Sequence, residues 1–363
     1  MIYLILFILL VLLFWLGSML FMRGEDLGAH DHEPADAHSR SFPAPAQPGE
    51  EQRQVVQRIE GFGLQALRLG RRQRLEFIRG FMDDMGREKT HVSEFTAVDA
   101  DGVPAQWTLA PGADPHRRVL YLHGGAFIAG SPASHRIMSD RFSAIVNAAV
   151  LAVDYRLMPE HQRRDGIMDC RAAYTWLLDN GPGGEAAADF LVIAGDSAGG
   201  NLALSLVKWA RDERLRLPDA VVAFSPTVDA TFSSPSIVRN VKTDVMLGPM
   251  FSHLLRIPTP VRRWAYVLEN RYSPANPVVS PVFGDLSRLP PTLIQVSEAE
   301  MLFDDARRFV NKARASGSPA VLQCWGGMLH VWQMFYPEMP QAGQAWKEVA
   351  NFLARAEADP DSL

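Results

Sequence analysis

Hydrophobic and polar positions divide the chain into a long apolar start, a polar stretch, an amphipathic region, and then short apolar runs alternating with helical patterns. The start, Met1–Met22, contains no charged residue. As a helix rising about 1.5 Å per residue it would reach roughly 33 Å, enough to cross a bilayer core. We interpret residues 1–22 as an uncleaved transmembrane anchor. The alternative is a cleaved signal peptide, but no Lys or Arg precedes the apolar run and no clear small-residue cleavage site follows it.

Two segments separate this anchor from the first predicted strand. Residues 23–50 are polar and rich in Ala, Pro, His and Asp, which is typical of a flexible tether. Residues 51–90 place apolar side chains at helical spacing with Arg and Glu between them, which predicts cap helices. Arg23 alone flanks the anchor on its carboxyl side, so the positive-inside rule favours a single-pass protein with a cytoplasmic catalytic domain.

The remainder, residues 91–357, has the alternation of an α/β domain. A hairpin is predicted at His91–Val98 and Val103–Leu109, around the turn Asp101-Gly102. Further strands are predicted at Arg118–Leu122, Val150–Asp154, Phe190–Ala194, Ala220–Phe224, Thr292–Val296 and Ala320–Cys324. Helical patterns lie between most of them, at Asp165–Leu178, Gly200–Leu215, Asp304–Ala315 and Ala342–Ala354. These elements predict an eight-stranded sheet, mostly parallel after the second strand, with helices on both faces.

One stretch interrupts the alternation. Residues of about 226–281 show mixed helical and loop signals without a clear strand, which indicates a cap insertion over the active-site edge. The whole chain of 363 residues carries a formal net charge of −5, so nucleic acid is not an expected partner. Its two cysteines, Cys170 and Cys324, have neither metal-ligand spacing nor a disulfide framework, and we expect buried free thiols.

The strongest chemical signal is the stretch Phe190–Asn201. An apolar run leads into Gly195-Asp196-Ser197-Ala198-Gly199, and an apolar helical pattern leaves it. A Gly-x-Ser-x-Gly between a strand and a helix is a nucleophile elbow, in which the serine stands on a tight turn. Ser197 is therefore the candidate nucleophile, and the N–H of Ala198 is placed to face a developing oxyanion.

A serine nucleophile needs a base, a carboxylate partner and an oxyanion hole. His330, on a glycine-bearing loop after the last predicted strand, is the candidate base. The acid should follow the strand Thr292–Val296, where spacing leaves four candidates open: Glu298, Glu300, Asp304 and Asp305. Gly124 and Gly125 follow another strand in the run His123–Phe127, where backbone N–H groups could approach a substrate oxygen.

Taken together, these residues resemble the hormone-sensitive lipase family of α/β-hydrolases, which includes bacterial carboxylesterases and arylacetamide deacetylase. The matching motifs occur in the order of the family: His123–Phe127, Asp154–Glu160, Gly195–Gly200, Ser280-Pro281, Leu289–Pro291 and Ser297–Asp305. The resemblance covers roughly residues 92–353 and implies an α/β-hydrolase fold with a helical cap, preceded here by one transmembrane helix.

The resemblance also implies a choice among the acids. The family's acid precedes a Leu-x-Asp-Asp stretch, which here is Leu302–Asp305, and this maps the acid onto Glu300. Many members carry Asp at this position, so glutamate is a departure, as is Ala126 in place of a third glycine.

We therefore expect a membrane-tethered serine hydrolase that cleaves carboxylic esters with short- to medium-chain or lipid-like acyl groups. Ser197, Glu300 and His330 would form the triad, Gly124, Gly125 and Ala198 the oxyanion hole, and no metal or organic cofactor is needed. The alternatives are a deacetylase, amidase or acyltransferase with the same triad, or a non-catalytic ligand receptor on the same fold. Oligomeric state is left open by the sequence.

Overall fold

The computed structural model describes residues 2–34, 38–87 and 89–359. Its strands in chain order are β1 (Arg40–Phe42), β2 (Glu94–Asp99), β3 (Pro104–Leu109), β4 (Asp114–Leu122), β5 (Ala148–Val153), β6 (Asn180–Gly181), β7 (Gly184–Glu185), β8 (Phe190–Asp196), β9 (Ala220–Phe224), β10 (Thr292–Ser297) and β11 (Ala320–Trp325). Within these residues the helices are α1 (Ile2–Phe21), α2 (Glu50–Leu67), α3 (Arg71–Arg87), α4 (Arg136–Val146), α5 (Arg163–Asp179), α6 (Ala198–Asp212), α7 (Ser236–Arg239), α8 (Leu247–Leu255), α9 (Thr259–Asn270), α10 (Phe303–Ala315) and α11 (Pro340–Ala358).

The main sheet runs in the order β1-β11-β10-β9-β8-β4-β5-β3-β2, and β6 and β7 form a separate hairpin. Neighbours from β1 to β5 in this order are parallel, whereas β3 pairs antiparallel with both β5 and β2. The eight predicted strands are all present, and the mostly parallel α/β architecture is confirmed. The described residues add a ninth strand, β1, at the edge beside β11.

Helices cover both faces of this sheet because successive strand side chains point in opposite directions. In β8, Leu191 and Ile193 join the core beneath α5, α6 and α10, whereas Phe190, Val192 and Ala194 join the core beneath α4 and α11. Parallel strands buried on both sides are expected to be continuously apolar, and β8 is buried along its whole length. The carboxyl ends of the strands consequently meet at one edge, where loops carry the candidate site.

Two parts of the predicted tether, residues 23–50, have regular structure. Gly28–His30 form a 3-10 turn, and Arg40–Phe42 form β1. Phe42 stacks on Trp325 of β11 with ring centroids 4.0 Å apart, and Asp31 forms an ion pair with Arg308 at 2.7 Å. The open edge of β11 supplies unpaired backbone groups, which explains why a short polar segment pairs there.

Both predicted cap regions are helical. Residues 51–90 contain α2 and α3, which stack Phe62 on Phe81 with centroids 4.0 Å apart, and the insertion contains α7, α8 and α9. Among the described residues, α1 is the helix whose length and apolar composition would suffice to cross a membrane, a property that signal sequences share.

Candidate active site

Ser197 lies in a strained turn between β8 and α6. Its φ of 50° and ψ of −114° are unusual for a residue with a side chain, and such strain concentrates at functional sites. The turn is tight enough that a Cβ at Gly199 would collide with the carbonyl oxygen of Leu122. The residues on either side are buried while Ser197 is partly exposed, so the turn presents its hydroxyl to the outside.

His330 joins the hydroxyl to a carboxylate. Its Nε2 lies 2.9 Å from Ser197 Oγ, and its Nδ1 lies 2.6 Å from Glu300 Oε2. A carboxylate only accepts, so Nδ1 carries the proton that it donates to Glu300, and Nε2 is left to accept the serine proton. His330 and Glu300 are 3% and 1% exposed, which keeps this pair away from water. The geometry is that of a nucleophile, a general base and an orienting acid.

Of the four acids that spacing left open, the structure brings Glu300 to His330. Glu298 is exposed, and its nearest described partner is a cysteine thiol. Asp304 and Asp305 are buried, but their carboxylates accept hydrogen bonds from the backbone of the cap insertion. The resemblance-based choice of Glu300 and the contacts therefore agree.

Ser225 completes the surroundings of Glu300 and was missed by the sequence reasoning. Its Oγ donates to Glu300 Oε1 at 2.8 Å, and the Ser297 N–H donates to the same oxygen at 2.8 Å. The Val331 N–H in turn donates to Ser225 Oγ at 3.3 Å, which links the acid to the loop of the base. Ser225 follows β9 at the carboxyl edge of the sheet, and that position was the signal that could have found it.

The charges of the pair are coupled. Burial disfavours the imidazolium of His330, but the surrounding carboxylates, Glu300 foremost, outweigh burial, and the pKa of His330 lies above its ordinary value. Burial raises the pKa of Glu300, and His330 offsets part of that rise. Stabilisation of the imidazolium by Glu300 is the property that a general base requires when it takes a proton from serine.

The predicted oxyanion donors separate into two groups. The Gly124 N–H, one of the predicted oxyanion donors, donates to Asp196 Oδ1 at 3.0 Å and is therefore engaged within the protein. Among the described residues, the N–H groups of Gly125, Ala126 and Ala198 have no protein acceptor. Gly125 and Ala126 both have positive φ, which turns consecutive N–H groups towards one side of the loop.

His123 supports this loop rather than serving as a base. Its ring stacks on Tyr155 with centroids 4.2 Å apart, and its Nδ1 lies 2.8 Å from the Gly124 carbonyl oxygen. The Tyr155 hydroxyl donates to the His123 carbonyl oxygen at 2.6 Å. Burial and the neighbouring His135 lower the pKa of His123 to about 3, so the ring is neutral at ordinary pH.

The cap insertion is bonded directly to the loop that carries the acid. Asn240 Nδ2 donates to the carbonyl oxygens of Glu298 and Glu300, both at 2.7 Å. Asp244 Oδ2 accepts from the Met301 N–H at 2.9 Å. The insertion thus holds the Glu298–Met301 turn.

A cavity of about 790 Å³ lies beside the oxyanion loop. Its walls come from α3, from Ile128, from the turn at Met158–Glu160 and from Glu269 on α9. Within the described chain, Ser197 is not among its lining residues, so this cavity is separate from the hydroxyl of the candidate nucleophile. A space of this volume is sufficient for a small organic ligand.

Comparison with known proteins gives a consistent family. Residues 119–334 match a family described as alpha/beta hydrolase fold. An acetyl-hydrolase of Streptomyces hygroscopicus is 36% identical over 253 residues, covering 69% of this chain and 80% of the relative. The carboxylesterase/phospholipase LipF of Mycobacterium tuberculosis is 35% identical over 270 residues, covering 73% of this chain and 70% of the relative.

Solved structures extend the similarity to nearly the whole fold. An esterase from the bacterial hormone-sensitive lipase family is 31% identical with a TM-score of 0.72, covering 85% of this chain and 99% of that chain. An esterase/lipase from an uncultured bacterium is 32% identical with a TM-score of 0.72, covering 86% of this chain and 100% of that chain.

Proposed function

Because this chain belongs to the hormone-sensitive lipase family of α/β-hydrolases and is a carboxylesterase-type hydrolase, we propose that it is membrane-tethered and cleaves esters through an acyl-enzyme. The observation that carries the mechanism is the continuous contact from Ser197 through His330 to Glu300, at 2.9 Å and 2.6 Å. A non-catalytic receptor has no need of this contact. The length and apolar composition of α1 support the proposal that the chain is tethered to a membrane.

In the proposed mechanism, Ser197 Oγ attacks the ester carbonyl while His330 Nε2 takes its proton. Glu300 holds the His330 tautomer and stabilises the imidazolium. His330 then gives the proton to the leaving alcohol, and an acyl-serine forms. Water activated by the same imidazole releases the acid and restores the serine.

The oxyanion formed in each step would be stabilised by the N–H groups of Gly125 and Ala198, with that of Ala126 as a third donor. One such donor typically contributes roughly 100- to 1000-fold to the rate. Gly124 has a different part in this proposal, because its bond to Asp196 fixes the loop from which the other donors project.

The substrate class is proposed from the relatives. Their printed names include acetyl-hydrolase, esterase and carboxylesterase/phospholipase, which spans short acyl groups and lipid esters. We propose a short- to medium-chain or lipid-like carboxylic ester for this chain.

The test is hydrolysis of p-nitrophenyl esters from acetate to palmitate by the full chain in detergent. Ser197→Ala is expected to lower kcat by roughly 10⁴-fold or more, because the other triad members act only through the nucleophile. The matched control is Ser205→Ala on the same helix. The Ser205 hydroxyl has no hydrogen-bond partner among the described residues, so the activity of this variant should stay unchanged.

The chain-length optimum would report the length of acyl group that the site accepts. If the folded wild-type chain hydrolyses none of these esters, the proposal of an esterase is wrong. The same chain would then be assayed on acetanilide and in acyl transfer to an alcohol, which need the same triad.

A further inference from the structure

Helix α1 packs against the cap of the enzyme. Trp264 on α9 donates from Nε1 to the Phe14 carbonyl oxygen at 3.2 Å, and the two rings stack with centroids 5.5 Å apart. Arg263 donates to the Ser18 carbonyl oxygen at 3.1 Å. The second half of the apolar helix is therefore bonded to a helix of the cap insertion.

The length of α1 makes this contact informative. Ser273, just beyond α9, bonds the Phe21 carbonyl oxygen, so the contacts extend from Phe14 to Phe21. If that stretch stood outside the hydrocarbon, Ile2–Leu13 would remain, and these residues reach only about 18 Å against a bilayer core of about 30 Å. A spanning α1 thus requires α9 to lie at the level of the membrane.

The outer side of α9 has the composition for that position. Val261, Ala265 and Leu268 are exposed and follow one another at helical spacing, and Ile257 is exposed just before the helix. Leu268 is 66% exposed. We refer to these four residues as the α9 stripe. The opposite side is polar and turned inward, with buried residues such as Asn270.

We propose that the α9 stripe docks into the interfacial layer of the same bilayer that α1 spans, so that the cap is a membrane-bound surface of the enzyme. The occupant is lipid: acyl chains against the stripe, and anionic headgroups against the arginines around it. Arg256 and Arg271 are exposed at the two ends of α9, and Arg23 follows α1. Basic residues beside an apolar helix face are typical of interfacial helices.

The docking would orient the active site towards lipid. From the inward side of α9, Tyr266 packs against the main core and lies near the Arg163 guanidinium. That guanidinium sits 3.3 Å from the ring centroid of Phe127, a residue of the oxyanion loop. In the docked position one helix, α9, would therefore lie between the bilayer and the oxyanion loop beside Ser197.

The inference rests on the proposed membrane anchoring and is tested by a readout that does not depend on catalysis. The full chain carrying Leu268→Cys is labelled with a polarity-sensitive fluorophore and reconstituted in phosphatidylcholine/phosphatidylglycerol vesicles. Cys170 and Cys324 are both buried, so the label reports the introduced thiol. We expect a blue-shifted spectrum and several-fold stronger quenching by doxyl-labelled lipid than at the matched control Glu185→Cys.

The control position is exposed in β7 of the separate β6–β7 hairpin, which precedes the amino end of β8, whereas the candidate site lies at the carboxyl ends of the strands. Equal quenching at residues 185 and 268 would overturn the docking. So would a probe that is shielded only when two chains share one nanodisc, because a second copy would then cover the stripe. Extraction of the chain from vesicles by alkaline carbonate would overturn both anchor and docking.

Hydrolysis of p-nitrophenyl butyrate by the labelled chain separates the two proposals. Retained activity without lipid quenching would disprove the docking and leave the esterase function intact. Lipid quenching without activity that depends on Ser197 would support the docking and disprove the esterase function.

Discussion

At the scale of single residues, Glu300, the acid of the proposed triad, is held by hydrogen bonds at both of its carboxylate oxygens. Glu300 Oε2 faces His330 at 2.6 Å, whereas Oε1 accepts from Ser225 and from the Ser297 backbone, each at 2.8 Å. The longer side chain would otherwise have more rotamers than aspartate. Two donors at Oε1 restrict it, and the second oxygen is thereby held against the imidazole.

Substitution of each glutamate of this loop should show which of them acts as the acid. Glu300→Gln removes the charge that stabilises the imidazolium, and we expect kcat to fall roughly 10³- to 10⁴-fold. Glu298→Gln changes an exposed side chain on the same turn and should change kcat less than about 2-fold. The measurement is kcat on p-nitrophenyl butyrate for both variants. A larger loss in Glu298→Gln would contradict the proposed triad.

The pH profile should carry the signature of the same pair. His330 acts as a base only when neutral, and its pKa lies above the ordinary value of 6.5. Activity is therefore expected at high pH and lost as pH falls through that raised pKa, so the acid limb of kcat/KM should lie above pH 6.5. In Glu300→Gln the residual activity should have its acid limb at lower pH. A wild-type profile that is flat down to about pH 4 would argue against a histidine base.

At the scale of elements, the amino-terminal segment holds the loop that carries His330. The Gly326 N–H donates to the Phe42 carbonyl oxygen at 2.8 Å, and Gln52 Nε2 donates to the Gly327 carbonyl oxygen at 2.7 Å. Further along the same loop, Met328 and Leu329 pack against α2. The position of His330 thus depends on a strand and a helix that lie outside the matched family region of residues 119–334.

Loss of one of these bonds should affect turnover more than substrate binding. Gln52→Ala removes a buried bond, which should lower stability by about 1 kcal/mol and lower kcat several-fold with little change in KM. Gln54→Ala on the same helix removes an exposed bond to Glu50 and serves as the matched control. Steady-state kinetics and thermal unfolding of the two variants provide the comparison. Identical kcat values would show that the histidine loop holds its position without Gln52.

At the scale of the whole molecule, the apolar helix, the ordered segment after it and the hydrolase domain are joined at several points. Phe14 and Ser18 of α1 contact α9, and Asp31 pairs with Arg308 of α10. The contacts of α1 are with the cap insertion, and the ion pair of Asp31 is with the catalytic domain. The proposed anchor is accordingly a support for the cap as well as a link to the membrane.

Removal of the anchor should separate two activities. A chain lacking residues 1–22 should keep its kcat/KM on soluble p-nitrophenyl acetate within about 2-fold, because the triad lies elsewhere. The same chain should hydrolyse an ester embedded in vesicles at least about 10-fold more slowly, because it loses the high local concentration that a tether provides. Full-length Ser197→Ala in the same vesicles gives the background. Equal rates on the vesicle-borne ester would show that the anchor has no part in substrate access.

Local sequence patterns were sufficient to predict the nucleophile elbow, the loop of His330 and eight strands, because each of these depends on residues close in sequence. Helix α4 was missed for a local reason. Its polar residues Ser139, Asp140 and Ser143 are buried, which hides the apolar stripe of a helix. Hydrogen bonds to distant parts of the chain offset the cost of burying these polar groups. Asp140 accepts from two backbone N–H groups before β2, and Ser143 accepts from the Ala110 N–H.

The sequence by itself determined the fold class and the candidate nucleophile and base, since strand–turn–helix patterns and glycine positions are local properties of the chain. Spacing left Glu298 and Glu300 open and the family resemblance favoured Glu300, whereas the contact of Glu300 with His330 is seen only in the tertiary structure. Only the tertiary structure engaged Gly124 with Asp196 and paired β1 with β11. Each of these outcomes joins groups far apart in sequence, and their distances depend on how the loops pack. The same holds for the contact between α1 and α9, where two helices separated by more than two hundred residues meet.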